Sequence, residues 1–164
     1  MNKPHQDIFD QIKTLLKMTF KDDIKEFEQG THLTIADTGI WISVDDTELT
    51  IGFGLTHRHY NPDYDNINEG IDSFFNLLTK RKRITGYFKG DFCYKNKTEI
   101  ELGNSNYDNL GTAMTWLFPF WKTTVIKEKF EEKLIDSPEF ESEIARIKNY
   151  AQQHLAKSGA TVIK

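Results

Sequence analysis

An α+β fold is predicted for this chain, with an antiparallel sheet of about six to seven strands packed against N-terminal, central and C-terminal helices. Three stretches place apolar residues at helical spacing, around residues 4–20, 67–79 and 137–157. The segments between them alternate apolar and polar residues with period two and are joined by short polar turns. The resulting order of helix, three strands, helix, several strands, helix lacks the strand-helix alternation of a parallel sheet. At 164 residues the chain fits a single domain, 1–164, able to bury a core without covalent staples.

The first helix is read from Pro4 to Phe20. Ile8, Phe9, Ile12, Leu15, Leu16 and Phe20 form one apolar side, and Pro4 suits the first turn. Gly30 ends that region. THLTIA, GIWISV and ELTIGFG are β-branched or aromatic runs separated by Asp37-Thr38-Gly39 and Asp45-Asp46-Thr47, so a three-stranded antiparallel meander is expected. HRHYNPDYDN reads as a polar loop leading to the second helix, whose stripe is Ile67, Ile71, Phe74, Phe75 and Leu78. RITGYFK and DFCYKNKTEIEL form a hairpin around Gly90-Asp91, and GNSNYDN is a connector. GTAMTWLFPFWKTTVI supplies one or two further strands, with Pro119 confining the second to an edge or a bend. Ser137-Pro138-Glu139 opens the last helix, which carries Phe140, Ile144, Ile147, Tyr150, Ala151 and Leu155 as its stripe.

Composition narrows the function classes. The single cysteine, Cys93, has no internal disulfide partner, and the polar start MNKPHQDIFD lacks the apolar run of a signal peptide, so a cytoplasmic location is expected. No run approaches the ~20 apolar residues that span a bilayer, which argues against a membrane protein. A net charge of −4 argues against a nucleic-acid binder. Asp37, Asp45, Asp46 and Glu48 gather around one turn, and Asp63, Asp65, Glu69 and Asp72 follow without an intervening base. Such clusters either solvate a surface or attract a basic partner.

The sharpest chemical feature is His57-Arg58-His59-Tyr60. On an extended segment both imidazoles project to one side, where a carboxylate from Asp63 or Asp65 would complete a three-ligand metal set. The same pair offers an acid and a base for phosphodiester cleavage, although in-line displacement wants these on opposite sides of phosphorus. A hydrolase centred on His57 and His59 is thus the enzymatic alternative. Lys80 to Arg83 either touches phosphate or an acidic partner, or offsets the dipole of the preceding helix. Phosphate loops, nucleophile elbows, HExxH and paired cysteines are missing, so neither a cofactor nor a catalytic constellation is expected. Trp116, Phe118, Phe120 and Trp121, with Trp41, Phe53, Tyr60 and other rings, are expected mostly in the core, some emerging on the open side of the sheet as a protein-binding surface.

The stretches GIWISVDDTELTIGFGLTHRHYNPDYDN, LLTKRKRITGYFKG, KTEIEL and GTAMTWLFPFWK resemble segments of small bacterial immunity proteins, the inhibitors encoded beside contact-dependent or polymorphic toxins. The resemblance implies a non-enzymatic protein that binds and neutralises a cognate toxin domain, often a basic nuclease, in the cytoplasm. On that reading the contact residues are Asp45, Asp46, Glu48, Asp63, Tyr64 and Asp65, which flank turns at sheet ends. A scaffold or regulatory protein is the remaining alternative. An uncovered edge near Thr112 to Thr124 would also allow pairing with a partner strand or a second copy.

Overall fold

The computed structural model describes residues 3–64, 67–136, 138 and 140–158. Helix α1 spans Pro4–Phe20; proline occupies its first turn, where no amide donor is missed, and the Gln6 side chain accepts from the Lys3 backbone N–H at 2.9 Å. Strands β1 (Ile24–Phe27), β2 (His32–Ile35), β3 (Ile40–Val44), β4 (Leu49–Phe53) and β5 (Thr56–Tyr60) form an antiparallel meander in sequence order. Helix α2 (Ile67–Thr79) follows. Strands β6 (Lys82–Lys89), β7 (Phe92–Gly103), β8 (Asn106–Met114) and β9 (Thr124–Glu131) make a second antiparallel sheet, ordered β8-β7-β6-β9, and α3 spans Glu141–Ser158.

The α+β class and the antiparallel pairing hold, but nine strands in two sheets replace the expected six to seven. Two strands, β1 and β5, escaped the pattern, and a third, β9, begins in the 111–126 stretch expected to supply an edge strand but runs on past it; none of the three has an apolar face to bury in full. The sequence IKEF of β1 leaves three of four residues exposed, THRHY of β5 is polar at its centre, and TVIKEKFE of β9 is an edge strand with lysines on it. The expected connector 103–109 is mostly strand, closed by Asn104 and Ser105 at φ 50° and 61°, so its turn needs only two residues. Residues 115–123 form a loop, so the stretch Thr112 to Thr124, expected as an edge, is strand only at its ends, where it closes edge strand β8 and opens the other edge strand, β9; β8 also lies near β5. The expected helix start at 137–139 falls on positions that are not all described, and α3 begins at Glu141.

The core lies between one face of the first sheet and helices α1 and α2. Leu33, Ile35, Ile40, Ile42, Leu49 and Ile51 meet Ile8, Phe9, Ile12 and Leu16 of α1 and Ile71, Phe74 and Phe75 of α2. At ~25 cal/mol per Å2 of apolar surface, this burial is the main favourable term in folding. Helix α3 forms a third layer across α1 and α2, burying Ile147 and Ala151, with Phe140 buried just before it; Tyr150 donates to Asp7 at 2.7 Å and Lys148 to Asp72 at 2.8 Å. The core aromatics are chiefly Phe9, Phe74, Phe75 and Phe140. Several rings expected inside, Trp116, Phe120 and Trp121 among them, are exposed, on a loop that projects beyond the strands it joins, whereas Phe53 and Tyr60 are buried.

The two sheets meet where β5 crosses β8. Thr56 donates to Thr98 at 2.8 Å, Arg58 donates to the Asn109 carbonyl, and a Cβ at Gly111 would stand 2.8 Å from the His57 carbonyl oxygen. Glycine permits that backbone approach. The basic run after α2 is consumed internally. Lys82 is buried, with Nζ donating to the carbonyls of Leu77, Lys80 and Glu132; Arg83 pairs with Glu99 and lies over Tyr107, and Arg81 pairs with Glu132 and lies over Phe130. These contacts favour the structural reading of that run.

Candidate functional site

The first sheet carries helices on one face only. Period-two alternation turns Phe27, His32, Trp41, His57 and His59 to the opposite face, and the register places His32 beside Ser43, Trp41 beside Gly52, and His57 across from Gly52. These side chains form a cross-strand ladder. Phe27 meets His32 edge-on at 6.0 Å, His32 stacks on Trp41 at 5.3 Å, Trp41 lies 5.8 Å from His57, and His57 meets His59 edge-on at 4.9 Å. Gly52 makes room for the indole: a Cβ there would fall 2.1 Å from Trp41 Cε2. Trp41 then donates from Nε1 to the Gly54 carbonyl at 2.9 Å, which fixes the ring in place.

At the end of the ladder His59 Nδ1 lies 2.5 Å from Glu48 Oε1 and 3.2 Å from Thr50 Oγ1. Glu48 begins the approach to β4, so the pair joins the ring ladder to the acidic turn between β3 and β4. In that turn Asp45 Oδ1 accepts from the Thr47 backbone N–H, the Thr47 hydroxyl and the Glu48 N–H, at 2.7 to 2.9 Å. The Thr47 hydrogen bond leads the interactions that hold the Asp45 carboxyl below its ordinary value. Asp45 is therefore a turn-forming residue. Asp46 and Asp63 line one cleft of about 280 Å3 beside Pro4 and His5 at the start of α1, with Lys3 donating to the Asp46 carbonyl at 2.5 Å. Tyr64 is 88% exposed.

The six expected contact residues thus divide. Asp46, Asp63 and Tyr64 are exposed at one end of the sheet, Glu48 joins them to the ladder, Asp45 stabilises the turn, and Asp65 lies outside the described residues. Of the histidine pair, both rings share one side as the spacing predicts. Among the described residues no group of three His, Cys, Asp or Glu side chains is placed to hold a metal ion, and the carboxylate on His59 comes from Glu48 in place of Asp63. Sequence reasoning missed His32 and Trp41 as members of this surface. The signal was present in the alternation of β2 and β3, where every second residue had to leave the core.

These features describe an α+β domain with an open, ring-bearing sheet face bordered by carboxylates. Comparisons with known family models, with curated proteins and with solved structures find no match for this chain. Among the described residues no helix is long and apolar enough to cross a membrane.

Proposed function

We propose that this chain is a non-enzymatic binding protein, of the immunity type that its sequence resembles, which neutralises a toxin domain by covering a basic surface on it. The observation that carries the reading is the Glu48–His59 contact, which joins an uncovered ladder of rings to the exposed carboxylates Asp46 and Asp63. Rings at the centre with charged groups at the rim is the anatomy of a protein interface. Carboxylates at that rim steer a basic partner and take the positions that substrate phosphates occupy on a nuclease.

The test is binding of the purified chain to the toxin domain encoded by a neighbouring gene. Asp46→Lys with Asp63→Lys is expected to slow association at least ~10-fold and to invert its salt dependence, because rim charges act mainly on the on-rate. Trp41→Ala is expected to speed dissociation. Unchanged association and dissociation in all of these variants would remove this surface from the interface. Phosphodiesterase activity abolished by His57→Ala and His59→Ala would replace the reading with the hydrolase alternative.

A further inference from the structure

The loop between β8 and β9 holds six consecutive apolar residues, Trp116 to Trp121, and turns most of them outward. Trp116, Leu117, Phe120 and Trp121 are 81, 63, 78 and 73% exposed. A soluble surface does not ordinarily concentrate large apolar side chains in this way without a use for them. The loop is mounted firmly. Phe118 turns back to stack on Tyr94 at 4.4 Å, Thr115 donates its N–H to the Tyr94 carbonyl at 2.9 Å, and Lys89 Nζ donates to the Lys122 carbonyl at 2.6 Å.

Charge around the loop is opposite in sign to that of the chain. Segments 85–97 and 112–129 carry six lysines against two carboxylates, in a protein of net charge −4. Among the described residues Lys89, Lys95, Lys122 and Lys127 make no ion pair; Lys95 lies over Tyr87 and Lys127 over Phe88. Leu55, in the β4–β5 turn, shares a cleft with Met114 and Thr115, so this tip stands at the far end of the first sheet from Asp46 and Asp63.

We propose that this tip docks on the headgroup layer of an anionic lipid bilayer, with Trp116, Leu117, Phe120 and Trp121 entering the interface and the lysines meeting lipid phosphates. Tryptophan flanking apolar residues, with cations behind them, is the composition that interfacial binding selects. Part of the loop's backbone is already satisfied, which lessens the cost of leaving water: Leu117 N–H donates to Thr115 Oγ1, Lys122 N–H to the Pro119 carbonyl, and proline has no N–H to satisfy. The contact is superficial and demands no spanning helix. It leaves the acidic end, on which the toxin-binding reading rests, turned toward solvent, and it does not depend on that reading.

The full chain should be centrifuged with phosphatidylcholine vesicles made with and without phosphatidylserine, in low and physiological salt. Sedimentation with the anionic vesicles alone is expected, weakened by salt. In a Trp41→Phe background the two remaining indoles report the tip, and their emission should shift to the blue on binding. Lys122→Gln and Lys127→Gln should each lower partitioning about fivefold, the effect of one charge near an anionic surface. Trp116→Ser with Phe120→Ser should abolish it while far-ultraviolet circular dichroism stays unchanged, since both rings lie outside the core. No sedimentation at low salt, or binding that survives the double serine variant, overturns the proposal. So does loss of affinity for a purified protein partner in that variant when the parent ignores vesicles, which would assign the loop to a protein.

Discussion

Replacing Lys82 by methionine tests whether one buried ammonium holds the end of α2. Lys82 is 1% exposed, and its Nζ donates to Leu77 at 2.9 Å, Glu132 at 3.1 Å and Lys80 at 3.2 Å. Two of these acceptors are carbonyls that the helix end cannot satisfy itself; the neighbouring Leu78 carbonyl accepts from the Leu134 N–H at 2.8 Å. Methionine keeps most of the stem and removes every donor. Three carbonyls left without partners would lose ~1–3 kcal/mol each. Against this stands the desolvation of the ammonium, several kcal/mol, which the substitution relieves. The difference is a net destabilisation of about 2–4 kcal/mol at neutral pH.

The same residue has a pH signature. Burial holds Lys82 below its ordinary value of 10.5, so at alkaline pH the unfolded chain binds the proton more tightly than the folded one. The desolvation cost is therefore present in full below the folded pKa and is relieved as pH rises toward 10.5. The parent should gain stability across that alkaline window relative to Lys82→Met. Urea unfolding followed by circular dichroism at neutral and alkaline pH measures both effects. A change below ~1 kcal/mol at neutral pH, or a constant difference between the two proteins as pH rises, would refute the reasoning.

Two further substitutions probe the sheets. Gly52→Ala should cost ~1–3 kcal/mol by overpacking and displace the Trp41 ring, since the added carbon would meet the indole at 2.1 Å; near-ultraviolet circular dichroism and chemical unfolding report the two consequences. Glu99→Gln should flatten the acid limb of stability. Burial pushes the Glu99 carboxyl up, but hydrogen bonds from Lys97 and Arg83 outweigh it and leave the group below 4.5. Its contribution is thus present above the unfolded pKa and lost as pH falls through the folded one. Unfolding measured from neutral to acid pH should show the parent losing ~1–2 kcal/mol more than the variant, the partners being partly exposed.

Much of the fold was determined by local pattern. Pro4 to Phe20 and Ile67 to Thr79 repeat apolar residues every three to four positions, and both helices span those residues. Strands β2 and β3 alternate cleanly because one face is buried, β4 alternates in sequence although both its faces are covered, and the Asp-rich turns between them follow from backbone chemistry alone. The spacing of His57 and His59 was likewise enough to put them on one side of a strand.

Tertiary placement decided the rest. Strands β1, β5 and β9 owe their existence to neighbours that supply hydrogen bonds, a gain that leaves no mark in hydropathy. The aromatic residues of 116–121 look like core by composition; their exposure follows from the place of their loop beyond the ends of β8 and β9, which no window of sequence contains. Lys82 reads as one charge in a basic run, and only the fold brings the carbonyls of Leu77 and Glu132 to its ammonium. The candidate surface divides in the same way. Period-two geometry sent Trp41, His57 and His59 to one face, whereas their contact with Glu48, and the opposition of an acidic end to a basic, aromatic tip, arise from how distant strands pack.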